Sequence, residues 1–384
     1  MKNPTIILRT TSNCNLACQY CYDKEYGYHQ EKSNKMFLEN IENMVDCIQK
    51  TRVEPTRPVK IILHGGEPLL ISASTYEKFF DALLQKIDKI RLFVQTNGTL
   101  FTEEMIQLFK KYNVSIGISL DGSDEHQNAS RVYPDGTNSF QKVQEAIQLL
   151  NKTNTKFGLI ITLTKNNIGC EQKIYDFIAN NQLYCSIRPA FPTASGDNST
   201  IMTNAEYEQF FKNLFDIWYQ DNKKTVKLKQ VSDLYDEFVK VIHPQKFKCS
   251  CTASENCFGN FLSLDIYGNV YTCNRTYNLP AFFLGNLKQD SIEAVLQKCN
   301  SFKENRKRVI ENSACMECKL YPFCHGGCPE NSYELYGDYQ LPYTYFCDAQ
   351  KHIFDYIKDI LNQNQQIESY QEKIGEIENE RKTI

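Results

Sequence analysis

Residues 14–22 read Cys-Asn-Leu-Ala-Cys-Gln-Tyr-Cys-Tyr, so Cys14, Cys18 and Cys21 share one short loop and an aromatic ring, Tyr22, follows the last. Thiols gathered this closely could serve three chemistries. A disulfide framework would spread its partners through the fold. A tetrahedral zinc site would want a fourth ligand nearby, and the next candidate is His29. An iron–sulfur cubane held by three thiolates keeps one iron open to bind something else.

A second concentration of thiols begins near residue 249. It reads Cys257-x10-Gly268-x4-Cys273, then Cys315-x2-Cys318-x5-Cys324-x3-Cys328, then Cys347 after a gap. Cys249 and Cys251 precede it in the run Cys-Ser-Cys. Alone, 315–328 could be a zinc ribbon. The chain has 16 cysteines, and clusters at fixed spacing in a reducing compartment read as metal ligands rather than disulfides. Cys47, Cys170, Cys185 and Cys299 stand alone and read as buried free thiols.

The bulk numbers describe an ordinary globular chain: 384 residues, 41% hydrophobic and 23% charged. A net charge of −3 gives no electrostatic case for nucleic acid or an anionic membrane. The N-terminus lacks the apolar run of a signal peptide, and no stretch approaches eighteen apolar residues. The expected location is the cytoplasm.

These residues need a scaffold. Six short apolar runs, 5–10, 59–65, 91–98, 114–122, 157–164 and 183–190, alternate with helical patterns at 36–50, 74–89, 102–112, 139–152 and 171–180. Strand–helix alternation with continuous apolar strands predicts a parallel sheet covered by helices. Chemistry then gathers at the C-terminal edge of the strands. The cysteine loop, Gly65–Pro68, Gln95–Gly98 and Ser119–Gly122 all fall there. Two further helices are expected at 204–220 and 229–243, and a charged helix with a polar tail at 351–384. Trp218 reads as a core residue of the first of these helices.

Cys14-x3-Cys18-x2-Cys21 followed by Tyr22 resembles the signature of the radical S-adenosylmethionine enzymes. The resemblance implies an α/β fold, a partial (βα)6 TIM-like barrel over residues 1–192. It implies that the three thiolates hold a [4Fe–4S] cluster whose open iron takes the amino and carboxylate groups of S-adenosylmethionine. Reductive cleavage of the cofactor then yields a 5′-deoxyadenosyl radical. By the same resemblance, Tyr22 contacts the cofactor, and Gly65, Gly66 and Glu67 receive its amino group, with Glu67 as a charge-assisted acceptor. Asn97 and Ser119 approach its ribose or amino-acid moiety, and Arg131 its carboxylate; without the resemblance Arg131 reads equally as a surface charge.

The later cysteines resemble the SPASM extension of peptide- and protein-modifying radical enzymes, which carries two auxiliary [4Fe–4S] clusters, three clusters in all. The expected divisions are linker helices at 193–248, the extension at 249–350 and the C-terminal helix and tail beyond. The whole chain resembles anaerobic sulfatase-maturing enzymes, which implies Cys251, Cys257, Cys273 and Cys328 for the first auxiliary cluster. Cys315, Cys318, Cys324 and Cys347 then enclose the second. Cys249 competes with Cys251; Cys251 keeps the family's spacing.

One position departs from that family. Its members place an Asp directly after the cysteine of the Gly-x4-Cys segment, where it takes the substrate's proton. Here the residue is Asn274, and an amide cannot act as that base. Asp265 and Asp338 are possible substitutes, but both read as turn residues. The segment 257–275 resembles instead the maturases of ribosomally made peptides that crosslink side chains. Arg275 then either meets a substrate carboxylate, tunes the adjacent cluster or forms a surface salt bridge.

The leading expectation is therefore a radical maturase that installs a C–C or thioether crosslink in a ribosomal precursor peptide. The expected partners are that leader-bearing precursor and an electron donor such as flavodoxin or ferredoxin. With thirteen residues before Cys14, no leader-binding domain is expected there, so the leader would meet the barrel mouth, the extension, the C-terminal helix or a separate protein. The alternatives are a sulfatase maturase that makes formylglycine with a relocated base, and a metal-stabilised peptide-binding protein without chemistry.

Overall fold

The computed structural model describes residues 2–23, 29–193, 198–221, 226–227, 230–247, 251, 254, 257–342 and 345–363. Cys249 and the tail beyond 363 lie outside the described residues. Six strands run parallel, each paired with the next: β1 (Thr5–Thr11), β2 (Val59–Gly65), β3 (Ile90–Thr96), β4 (Ser115–Ser119), β5 (Phe157–Leu163) and β6 (Tyr184–Pro189). Helices α1 (Gln30–Glu39), α2 (Ile41–Lys50), α3 (Ala73–Lys86), α4 (Glu103–Lys111), α5 (Phe140–Lys152) and α6 (Glu171–Asn181) make the crossovers. The pattern at 36–50 is thus two helices. They part at Asn40, whose side chain donates to the carbonyl of Met36 and satisfies the end of α1.

The apolar strands are covered by helices on one face, as a partial barrel requires. Ile61 and Leu63, Leu92 and Val94, and Ile116 and Ile118 are buried under the helices. Each contributes roughly 1.5–3 kcal/mol by leaving water. The alternate positions, Ile62 and His64, Phe93 and Gln95, Gly117 and Ser119, Thr162 and Arg188, are half-buried on the opposite face. That face is the lumen of the partial (βα)6 barrel, and its side chains are polar or small toward the C-terminal edge.

The cysteine-rich part joins the same sheet. β7 (Phe261–Asp265) pairs parallel with β1, and β8 (Asn269–Tyr271) and β9 (Phe283–Asn286) continue antiparallel, giving the order β6-β5-β4-β3-β2-β1-β7-β8-β9. Hydrogen bonding therefore crosses from the expected barrel into the expected extension. Asp265 ends β7 and accepts from the backbone amides of Tyr267 and Asn269 at 2.8 and 2.9 Å, a turn role. Asp338 does the same for Gln340 at 2.9 Å. Neither is a free base.

Two helices follow the barrel, α7 (Asn204–Gln220) and α8 (Ser232–Ile242). A capping box between Thr203 and Glu206 starts α7. Trp218 is buried, edge-on to Phe238 of α8 at 5.3 Å. The C-terminal helix begins at Cys347, four residues earlier than its charge pattern suggests, because Ala349, Ile353, Ile357 and Leu361 make a buried stripe. Tyr356 donates to Asp216 of α7 at 2.7 Å. No helix among the described residues is long and apolar enough to cross a membrane.

Candidate functional site

The loop of Cys14, Cys18 and Cys21 leaves β1 at the C-terminal edge and is pinned from two sides. Gly66 donates its backbone N–H to Thr11 O and Glu67 donates to Asn13 O, both at 2.8 Å. This approach explains the glycine pair: a Cβ on Gly65 would lie 2.2 Å from Thr11 O, and one on Gly66 2.0 Å from Asn13 O. On the other side Ala17 N–H donates to Val132 O at 2.7 Å and Gln19 N–H to Ser130 O at 3.0 Å.

Glu67, the expected acceptor for the cofactor's amino group, is buried, and its carboxylate accepts from Thr96 Oγ1 (2.6 Å), Leu69 N–H and Asn97 N–H (both 2.8 Å). Burial still pushes its pKa up to about 7. The Asn97 amide donates to Asn15 at 2.9 Å and reaches Cys14 Sγ at 3.8 Å, so it lies against the cysteine loop. Ser119 accepts from Gln95 at 3.0 Å on the lumen face and touches none of these residues through its hydrogen bonds.

Arg131 is buried, which removes the surface reading. It donates to Tyr20 at 2.6 Å, Tyr20 donates to Asp121 at 2.6 Å, and Asp121 lies 3.9 Å from the guanidinium. Its Nε is buried without a hydrogen-bond partner. An orphaned buried donor beside the thiol loop is what a carboxylate-bearing cofactor would satisfy. Burial raises the pKa of Cys14 and Cys18 and takes Cys21 up to about 12. A bound metal's charge would favour their thiolate forms, and Cys14 stands within electrostatic reach of both others. The residues present fit a thiolate-held cluster with a carboxylate-bearing ligand.

Asn274 reaches the same edge from the extension. It is buried; its Nδ2 donates to the Tyr22 hydroxyl at 2.5 Å and lies 3.4 Å from His64 Nδ1. Its Oδ1 accepts from Arg9 at 3.2 Å, and Arg9 also pairs with Asp23 at 2.5 Å and covers the Tyr277 ring at 3.8 Å. Arg275 binds Glu330 and Asn331, both at 2.7 Å, with its guanidinium 5.2 Å from the Phe191 ring. Glu330 is buried, so this is not a surface salt bridge.

Eight of the remaining thiols influence one another in two groups. Cys257 stands within electrostatic reach of Cys328, Cys251 and Cys273, and Cys273 within reach of Cys251 and Cys328. Cys324 is within reach of Cys315, Cys347 and Cys318. Among the described residues no three His, Cys, Asp or Glu side chains converge tightly enough for a single metal ion; a cubane spaces its thiolates more widely. Cys47, Cys170, Cys185 and Cys299 are buried in the apolar core.

Arg9, Asp23 and His64 were missed in the sequence. Arg9 left a signal, a charge interrupting an apolar strand, and His64 another, directly before the glycine pair. Asp23 left none.

Residues 8–178 match the Radical SAM superfamily. The chain is 28% identical over 370 residues to the cysteine-type anaerobic sulfatase-maturating enzyme of Clostridium perfringens, covering 91% of this chain and 95% of that one. The serine-type enzyme of Bacteroides thetaiotaomicron is 24% identical over 389 residues, with 91% and 90% covered. Among solved structures, native anSMEcpe with bound AdoMet superposes with a TM-score of 0.77 at 22% identity, covering 94% of this chain and 99% of that one. SuiB of Streptococcus suis bound to its precursor peptide SuiA gives 0.61 at 15% identity, with 90% and 76% covered. The cysteine loop and the strand edge that holds it fall within residues 8–178, so this part of the chain is a radical SAM domain.

Proposed function

We propose that this enzyme matures a ribosomally made precursor peptide by installing a C–C or thioether crosslink. Cys14, Cys18 and Cys21 hold the cluster that cleaves S-adenosylmethionine; Asn97 borders that loop, and Arg131 Nε is the donor offered to the cofactor carboxylate. The peptide enters the lumen past Ser119 and His64. Bound S-adenosylmethionine would supply a 5′-deoxyadenosyl radical to take a hydrogen atom from the peptide, whose carbon would then bond to a neighbouring ring carbon or sulfur. Cys251, Cys257, Cys273 and Cys328, and Cys315, Cys318, Cys324 and Cys347, would hold auxiliary clusters able to accept the electron that leaves with a proton as that bond forms. A flavodoxin- or ferredoxin-type donor supplies the electron for cofactor cleavage.

The observation that carries this reading is Asn274, an amide held between Arg9 and Tyr22 where the sulfatase-maturing resemblance calls for a base. A second reading, formylglycine formation, draws on the similarity to sulfatase-maturating enzymes over 91% of the chain.

One experiment separates them. The reconstituted enzyme is given a leader-bearing precursor encoded beside its gene and, separately, a sulfatase-type Cys or Ser peptide. Crosslinking expects the precursor to lose two hydrogens, resistant to thiol reductants and unreactive to a hydrazide. Hydrazide-reactive product from the sulfatase-type peptide would sink this reading in favour of the other.

A further inference from the structure

Arg306 lies on the helix Ile292–Glu311 of the cysteine-rich part and is 5% exposed. Its guanidinium donates to the main-chain oxygens of Leu341 (2.8 Å), Gly326 (2.7 Å), Gly327 (3.2 Å) and Tyr339. It also reaches the Ser332 hydroxyl at 3.5 Å. Arg9, Arg131 and Arg275 each face a carboxylate: Asp23, Asp121 and Glu330. Among the described residues Arg306 has no such ion pair. Asp338 also influences it, but that influence ranks below those of Cys328, Cys257 and Cys315.

A buried cation without a counter-anion is costly, and carbonyl oxygens solvate it without neutralising it. The three thiols nearest in effect belong to both sets, Cys257 and Cys328 to one and Cys315 to the other. A cubane with four thiolates carries net negative charge, and reduction adds one more. A fixed cation therefore favours the reduced form.

We propose that Arg306 is the shared counter-cation of the two auxiliary clusters, a positioning residue that raises the reduction potential of both. This rests on the two-cluster reading of the extension. The competing role is a pin that merely ties the 326–327 turn to 339–341.

The test uses the full chain with Cys14→Ala, Cys18→Ala and Cys21→Ala, so that only auxiliary signals remain. Arg306→Gln and Arg306→Lys are compared by iron content and by EPR-monitored redox titration. Both substitutions break the carbonyl cage, but only lysine keeps the charge. The expectation is that Arg306→Gln makes reduction at least tenfold less favourable, about 59 mV for a one-electron couple, while Arg306→Lys stays within about threefold of the parent. Loss of iron in Arg306→Gln with retention in Arg306→Lys also supports the charge role. Equal shifts, equal iron loss, or no shift in either variant overturns it. A parent that carries zinc in place of iron overturns the two-cluster reading and this proposal together.

Discussion

The side-chain amide of Asn274 donates to the Tyr22 hydroxyl at 2.5 Å, joining the cysteine-rich part to the Cys14–Cys21 loop across 252 residues of sequence. An amide suits this position because it donates and accepts at once. Its nitrogen faces Tyr22 and His64, and its oxygen takes Arg9. The charge of Arg9 is already met by Asp23. A carboxylate here would add a second anion and could not donate to Tyr22.

Asn274→Asp should therefore change the chemistry the site supports. On a sulfatase-type Cys peptide the crosslinking reading expects an inactive wild type. A supplied base should give the variant roughly a hundredfold more hydrazide-reactive product, the low end of what general-base catalysis contributes. Mass spectrometry after hydrazide labelling measures it. No gain would show that position 274 does not deliver the missing base.

The thiol sets predict how iron divides. Anaerobically reconstituted protein should hold about twelve irons, three cubanes. Replacing Cys14, Cys18 and Cys21 together with Ala should remove about a third and abolish 5′-deoxyadenosine release. Cys273→Ala or Cys318→Ala should keep some of that release with dithionite and the cofactor, yet lose peptide product. Full product formation by either would deny the auxiliary clusters an essential part.

Glu67 should matter for the integrity of the loops. Glu67→Ala leaves Thr96 Oγ1 and the amides of Leu69 and Asn97 without their acceptor. The cost should be roughly 2–5 kcal/mol, read as a fall in anaerobic thermal midpoint. Gly66→Ala should act through the cysteine loop, since its Cβ would meet Asn13 O at 2.0 Å. It should lower bound iron by about a third. Unchanged iron would mean the loop yields without losing its cluster.

His64 should make the protein acid-sensitive. Burial, and then the Arg9 guanidinium, push its pKa down to about 4. An unfolded imidazole titrates near 6.5. Between these values the unfolded chain holds a proton that the folded chain lacks, so stability falls as pH drops from about 6.5 to about 4. The ring is partly open to the lumen, which discounts the effect to roughly 1–2 kcal/mol. His64→Gln should flatten the difference between urea midpoints at pH 7 and pH 5, followed by circular dichroism. An unchanged slope would assign the acid loss to other groups.

The alternation of strands and helices, the cysteine loop and the glycine pair could all be read directly, because each rests on residues close in sequence. Apolar runs announce strands, and thiols three and four positions apart announce a metal-binding loop. The periodicity of the lumen face stayed hidden, since Ile62 and Phe93 make the strands look uniformly apolar while their neighbours His64 and Gln95 do not. What only the tertiary structure decided are the long-range partners. Glu67 binds the Thr96–Asn97 turn, and Asn274 lies between Arg9 and Tyr22 because β7 pairs with β1. Arg306 finds carbonyls instead of a carboxylate because the turns at 326–327 and 339–341 close over it. Local spacing encodes which residues could do chemistry; burial and strand pairing decide which of them meet, and with what charge.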